Sequence, residues 1–181
     1  MAEGSLSGKK VAVVATDYFE EAELTEPVKA LRDAGATVEI IAPKSGEIKG
    51  VKHVDPGQSV KVDKTLDEAD PDGYDGLVLP GGAVNADHLR MDQKARDFVV
   101  KMMDEQNKPT AVICHAPWML VSAGLARGKK LTSYFTIQDD MRNAGADWVD
   151  QEVVVDGNLI TSRKPDDIPA FNKAVISALA G

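Results

Sequence analysis

The stretch AVICHAPWM, Ala111–Met119, contains Cys114, the only cysteine of the chain, with His115 directly behind it. A thiol beside an imidazole is the pairing a cysteine nucleophile needs, a weak acid with a base in reach. A lone cysteine at the end of an apolar run is equally the pattern of a small buried hydrophobe. Two features favour the nucleophile. Thr110–Cys114 followed by His115-Ala116-Pro117-Trp118 reads as strand, sharp turn and helix, the geometry of a nucleophile elbow. A thiol at a helix N-terminus also has its thiolate stabilised by free N–H groups and the helix dipole. In a continuing strand successive side chains face opposite sides. Cys114 and His115 therefore meet only if the chain turns there, and Pro117 suits the start of a helix just after such a turn.

The elements that would hold this pair follow from periodicity. Lys10–Thr16, Thr37–Ala42, Tyr74–Pro80 and Thr110–Cys114 are short, nearly continuous apolar runs, the pattern of strands buried on both faces. Helical patterns lie between and after them. Pro27–Gly35 opens on proline and closes on glycine, and Asp92–Asn107 carries Ala95, Phe98, Val99 and Met102 on one stripe. Pro117–Ala123, Thr136–Ala144 and Asp167–Ala180 complete the set. Gly46–Val62 reads as a hairpin or long loop, and Glu152–Ser162 as a hairpin around Asp156-Gly157-Asn158. Strands alternating with helices predict an α/β fold with a mostly parallel sheet covered on both faces. Residues 1–8 read as a disordered tail and 9–181 as one domain.

In open α/β sheets ligands bind beyond the carboxyl ends of the strands. The first strand is followed by DYFEEAEL, Asp17–Leu24, the third by GGAVNAD, Gly81–Asp87, and the fourth by CHAPW, Cys114–Trp118. A phosphate-binding turn needs glycine and small hydroxyl residues, so the carboxylates of the first loop exclude a flavin or dinucleotide site there. Gly81-Gly82 is either a tight turn or a source of backbone N–H groups for a developing oxyanion, with the His115 N–H as second donor. Glu20 is either a solvated charge or a carboxyl set against the sulfur. Asp87 is either a catalytic acid or the N-cap of a helix around DHLRM. Tyr18 and Trp118 are pocket walls or core. His53 and His88 read as surface or satisfied residues, and no metal-ligand spacing is present.

The bulk properties narrow the function class. With 43% hydrophobic and 28% charged residues, the composition is that of a globular domain. A net charge of −8 argues against nonspecific nucleic-acid binding. A single cysteine fits a reducing compartment. With no apolar run of signal or membrane-spanning length, the expectation is a cytoplasmic protein without membrane attachment.

DYFEEAEL, LVLPGG, ICHAPWMLVSAGL, RGKKLTSY and DDMRNAGADWVDQEVVVDGNLITSRKPDDIPAF, in that order, resemble the PfpI family, the intracellular protease I-like branch of the class I glutamine amidotransferase-like superfamily. The parkinsonism-associated deglycase is a more distant relative. The resemblance runs from about Lys10 to Ala180. It implies a flavodoxin-like three-layer sandwich and a nucleophile at Cys114. It also implies a partner at His115, a glutamate near the thiol at Glu20, and oxyanion donors in the glycine-pair loop and after the cysteine. It further implies an acid at Asp87 that reaches the histidine of a neighbouring subunit, and homodimers or hexamers. One departure stands out: the family's usual Cys-His-Gly-Pro is Cys-His-Ala-Pro here, so Ala116 is strained if that position needs positive φ.

The leading functional expectation is a cysteine-dependent hydrolase or deglycase without cofactor. It would act on peptides, glycated amines or small dicarbonyls in stress protection, with His115 or Glu20 moving the proton. The alternative is a non-enzymatic, redox-sensing or chaperone-like stress protein in which Cys114 is oxidised.

Overall fold

The computed structural model describes residues 4–181. Strand β1, Lys10–Val14, lies inside a seven-stranded sheet, where Val11, Ala12, Val13 and Val14 are wholly buried and apolar on both faces. It pairs in parallel with β2, Thr37–Ala42, on one side. Beyond β2 lies the short β3, Lys64–Thr65. On its other side β1 pairs in parallel with β4, Gly76–Leu79, which pairs with β5, Thr110–Ile113. The hairpin of β6, Val154–Asp156, and β7, Leu159–Ser162, completes that half, with β7 parallel to β5 and β6 antiparallel at the edge. The order is β6-β7-β5-β4-β1-β2-β3. The chain builds outward from β1 to β3 and then returns to the other flank, so the strand order reverses between β1 and β4.

Alternate residues feed two cores. Val11, Val13 and Ile113 point to one face, which is covered by α1, Glu21–Asp33, and α6, Ile168–Ala180. Ala12, Val14 and Val112 point to the other face. That face carries α2, Ala83–Leu89; α3, Gln93–Val100; α4, Trp118–Ser122; and α5, Gln138–Asn143. The result is the mostly parallel three-layer α/β sandwich that the continuous apolar runs predict.

Three expectations need correction. Helix α1 starts at Glu21, six residues before the proline taken as its first position, and carries Pro27 inside it. The helix expected over Asp92–Asn107 is α-helical only to Val100 and then widens into a π turn over Lys101–Glu105. Within the expected tail, residues 4–8 form turns, and Leu6 is fully buried with its N–H donating to Ala34 O at 2.8 Å. An apolar side chain that reaches the α1 end of the core orders that stretch, while residues 1–3 lie outside the described part.

Candidate active site

The site sits where the strand order reverses, beyond the carboxyl ends of β1, β4 and β5, as expected for open α/β sheets. Cys114 follows β5 directly and holds φ +64°, a left-handed conformation that costs a non-glycine residue on the order of 1 kcal/mol or more. Two bonds fix it. Its N–H donates to Ser162 O at 3.0 Å, and its carbonyl accepts Tyr134 N–H at 2.7 Å. This kink is the turn that lets neighbouring side chains meet: Cys114 Sγ lies 3.2 Å from His115 Nδ1. Ala116 is not among the residues of positive φ and is buried in the core, so alanine there carries no left-handed strain. Helix α4 begins only at Trp118, so its N-terminus does not abut the sulfur. The N–H groups of Gly82 and His115 take that place, both hydrogen-bonding toward the thiol.

The glycine pair divides its work. Gly82 has φ +94°, and a Cβ on it would come within 2.5 Å of Tyr18 O and 2.7 Å of Glu20 N. Only glycine places that N–H at the sulfur. The Gly81 N–H is already committed, donating to Glu23 Oε1 at 3.0 Å, so Gly81 is not the oxyanion donor expected of it. Its role is closeness: a Cβ there would meet Glu23 Oε1 at 2.4 Å and Cys114 Cβ at 2.7 Å. Asn85, wholly buried and not foreseen, locks this loop to the first one. It accepts Thr16 N–H at 2.7 Å and donates to Pro80 O and Gly81 O at 3.0 and 2.9 Å.

The carboxyl at the thiol is Glu23, not Glu20. Glu23 is fully buried in the first turn of α1, with Oε1 on Gly81 and Oε2 without a hydrogen-bond partner. Its pKa is pushed up to about 8, first by burial and then by the Glu20 charge. Burial also pushes the Cys114 thiol well up, and the adjacent Glu23 acts in the same direction. His115 goes down through burial, which keeps its imidazole neutral. Glu20 stands one turn earlier at the cavity mouth. Both of its oxygens accept the His53 N–H at 3.0 Å, and the His53 ring lies beside it, with Nδ1 3.6 Å from Oε1.

A cavity of about 230 Å³ opens over Cys114 and is lined by Glu20, Glu23, His53, Gly82, His115 and Tyr134, among others. His53, read from sequence as a surface or satisfied residue, stands at its rim, and Tyr134 stacks on the His115 ring at 4.6 Å. Three expected site residues lie elsewhere. Asp87 is on the exposed face of α2, and that helix begins at Ala83 with Gly82 as its N-cap, so Asp87 neither caps it nor lines the cavity. Trp118 packs edge-on against His115 and donates to Asp140 at 2.8 Å instead of lining the cavity. Tyr18 is 44% exposed and contributes its backbone carbonyl to the crowding around Gly82.

The sequence profile of the DJ-1/PfpI family matches residues 9–178. The chain belongs to the DJ-1/PfpI family. It is 45% identical over 170 residues to a protein of Pyrococcus furiosus named deglycase PfpI, covering 94% of this chain and 99% of that one. It is 44% identical over 173 residues to general stress protein 18 of Bacillus subtilis, covering 95% and 98%. The crystal structure of Drosophila melanogaster DJ-1beta superposes with a TM-score of 0.87 at 30% identity, over 96% of this chain and 91% of that one.

Proposed function

We propose that this family member is a cysteine-dependent deglycase or hydrolase of reactive carbonyl compounds, active in stress protection. The observation that carries the reading is the Cys114 thiol on a left-handed elbow at the floor of a small cavity. Two backbone N–H groups are aimed at it, and a neutral imidazole stands 3.2 Å away. At neutral pH the thiol keeps its proton, so attack is assisted rather than spontaneous. As Sγ bonds to the carbonyl carbon, the thiol proton passes to His115 Nδ1, and the carbonyl electron pair moves to an oxygen held by the Gly82 and His115 N–H groups. In a hemiaminal adduct, Sγ instead bonds to the carbon that carries the nitrogen as that C–N bond breaks, with His115 returning the thiol proton to the departing amine. A hydride shift from that carbon to the adjacent carbonyl carbon turns the resulting hemithioacetal into a thioester, which water hydrolyses to the 2-hydroxy acid and the free thiol.

The relatives' names, deglycase PfpI and general stress protein 18, support a glycated or dicarbonyl substrate. The cavity's modest volume, about 230 Å³, favours a small electrophile over a long peptide. A redox sensor needs an exposed thiolate. Cys114 is 6% exposed and pushed toward the thiol form, which counts against that alternative. No helix among the described residues is long and apolar enough to cross a membrane. A cytoplasmic homodimer or hexamer belongs to the same reading, and light scattering measures its size.

The test is steady-state turnover of methylglyoxal and of methylglyoxal-treated N-acetyllysine by wild type and Cys114→Ala. Turnover abolished in the variant supports the reading, whereas turnover equal in both, or absent in wild type, overturns it.

A further inference from the structure

Of the two carboxyls that line the cavity, Glu20 and Glu23, the buried Glu23 keeps most of its proton at neutral pH, and no lysine or arginine among the described residues lines it. The cations nearest in sequence to the lining residues are engaged or offset. Lys52 lies 3.7 Å from Glu21, Arg163 bonds Asp167 and Asp150, and the exposed Lys164 has exposed Asp166 two positions on. Glu20 is 9% exposed, and both of its oxygens accept the same backbone N–H, which fixes the carboxylate at the mouth. Beneath it, Glu23 is wholly buried, with Oε1 committed to the Gly81 N–H.

We propose that Glu20 makes this cavity a charge filter, admitting neutral carbonyl compounds and adducts on guanidinium or ammonium groups while rejecting carbonyls that carry a carboxylate or a phosphate. The proposal rests on Cys114 being the nucleophile of the site. The physical reason is that a half-enclosed carboxylate repels a second anion within a few ångströms at an effective dielectric far below that of water, so a single charge shifts relative rates by about tenfold. Substrates with an anionic reacting end meet this repulsion on entry, and neutral and cationic ones do not.

The single thiol makes the filter measurable without turnover. The experiment is the rate of Cys114 alkylation at pH 7.5 by iodoacetamide and by iodoacetate, which differ mainly in charge. Each is followed by mass in wild type, Glu20→Gln and Glu20→Asp, with N-acetylcysteine as the reference thiol. The expected result is a wild-type preference for iodoacetamide about tenfold beyond that of the reference thiol. Glu20→Gln should narrow it toward the reference, Glu20→Asp should keep it, and added salt should weaken it. A wild-type ratio equal to the reference, or one that Glu20→Gln leaves unchanged, would overturn the filter. Failure of either reagent to react with the native protein would overturn it too, because the cavity would then be closed to ligands of that size. Turnover is a separate readout: a protein that turns over methylglyoxal without charge discrimination loses the filter alone. One that discriminates without turnover loses only the enzymatic reading.

Discussion

Glu20 and Glu23 stand one helical turn apart and line the same cavity, yet they occupy different physical worlds. Glu23 forms the floor with Cys114, Gly81 and Gly82. It is fully buried and packed so closely that no Cβ fits on Gly81. Glu20 forms the mouth with His53, whose ring is largely exposed and whose segment is held by hydrogen bonds to its backbone N–H. The floor shifts the acidities of the groups it holds, because burial disfavours charge and every neighbour is fixed. The mouth keeps a charge in place and presents it to what enters. On the proposal above, the same residue type serves as proton holder in one position and as electrostatic gate in the other, with the first set by complete burial and by the nearby Glu20 charge.

The largest effect that separates the two regions is steric. Gly81→Ala puts a methyl group 2.4 Å from Glu23 Oε1, 2.7 Å from Cys114 Cβ and 2.9 Å from Ile113 O, and the last two, a Cβ and a backbone carbonyl, cannot swing aside. The expected loss is roughly 2–4 kcal/mol of unfolding free energy, with activity lost along with it. Urea denaturation checks it. A mouth substitution such as Val54→Ala, at a side chain 92% exposed, should stay within about 0.5 kcal/mol. Equal losses at the two positions would erase the distinction.

The second contrast is electrostatic. The Glu23 pKa of about 8 stands above its ordinary 4.5, so between those values the unfolded chain gives up a proton that the native protein keeps. Stability therefore falls as pH rises through that window and is not penalised below it. Glu23→Gln should remove the fall, making the variant more stable than wild type by on the order of 2 kcal/mol at pH 8, with no gap near pH 4. Glu23 also helps hold the thiol up, so the same substitution should bring the pH midpoint of Cys114 alkylation down. Glu20→Gln should move that midpoint far less, since Glu20 does not touch the sulfur. Thermal melts from pH 4 to 8.5 and alkylation rates against pH measure both halves.

How much of this was legible in the sequence depends on how local the determining physics is. The parallel sheet was readable because its strands are apolar on both faces and therefore continuous in composition. Cys114, His115 and Gly82 were readable because an elbow and a glycine turn are matters of a few adjacent residues. Glu23 was hidden by Pro27. Taking that proline as the first residue of the helix left 20–26 as loop and concealed that Glu23 shares the buried stripe of Leu24, Val28 and Leu31. Extending the helix pattern backward from Leu24 would have found it. Asp87 does not cap a helix because α2 starts from the glycine loop itself, which puts this aspartate on the solvent face. Tyr134, His53 and Pro165 come from distant segments, and only the folded chain brings them to the cavity. Leu6 is a single apolar residue in a polar tail, a signal too small for periodicity to register.

The smallest contrast concerns backbone strain, which the floor and the mouth share. Cys114 and His53 both hold left-handed conformations, at φ +64° and +58°. At the floor the conformation is held by hydrogen bonds on either side of the residue and serves to bring thiol, imidazole and N–H groups together. At the mouth it turns the His53 N–H onto Glu20. His53→Gly keeps that N–H and relieves the strain while deleting only a ring that is mostly in solvent. It should leave stability unchanged or raise it by up to about 1 kcal/mol, with glycine's added unfolded-state entropy offsetting part of the gain. It should also leave turnover within about twofold, because the Glu20 charge stays anchored through the backbone. Cys114→Gly relieves the same strain but empties the packed floor, so any stability gained is offset and activity is lost. If His53→Gly abolishes turnover while preserving the fold, the His53 ring is itself part of the chemistry, and the division between a reactive floor and a gating mouth fails at that residue.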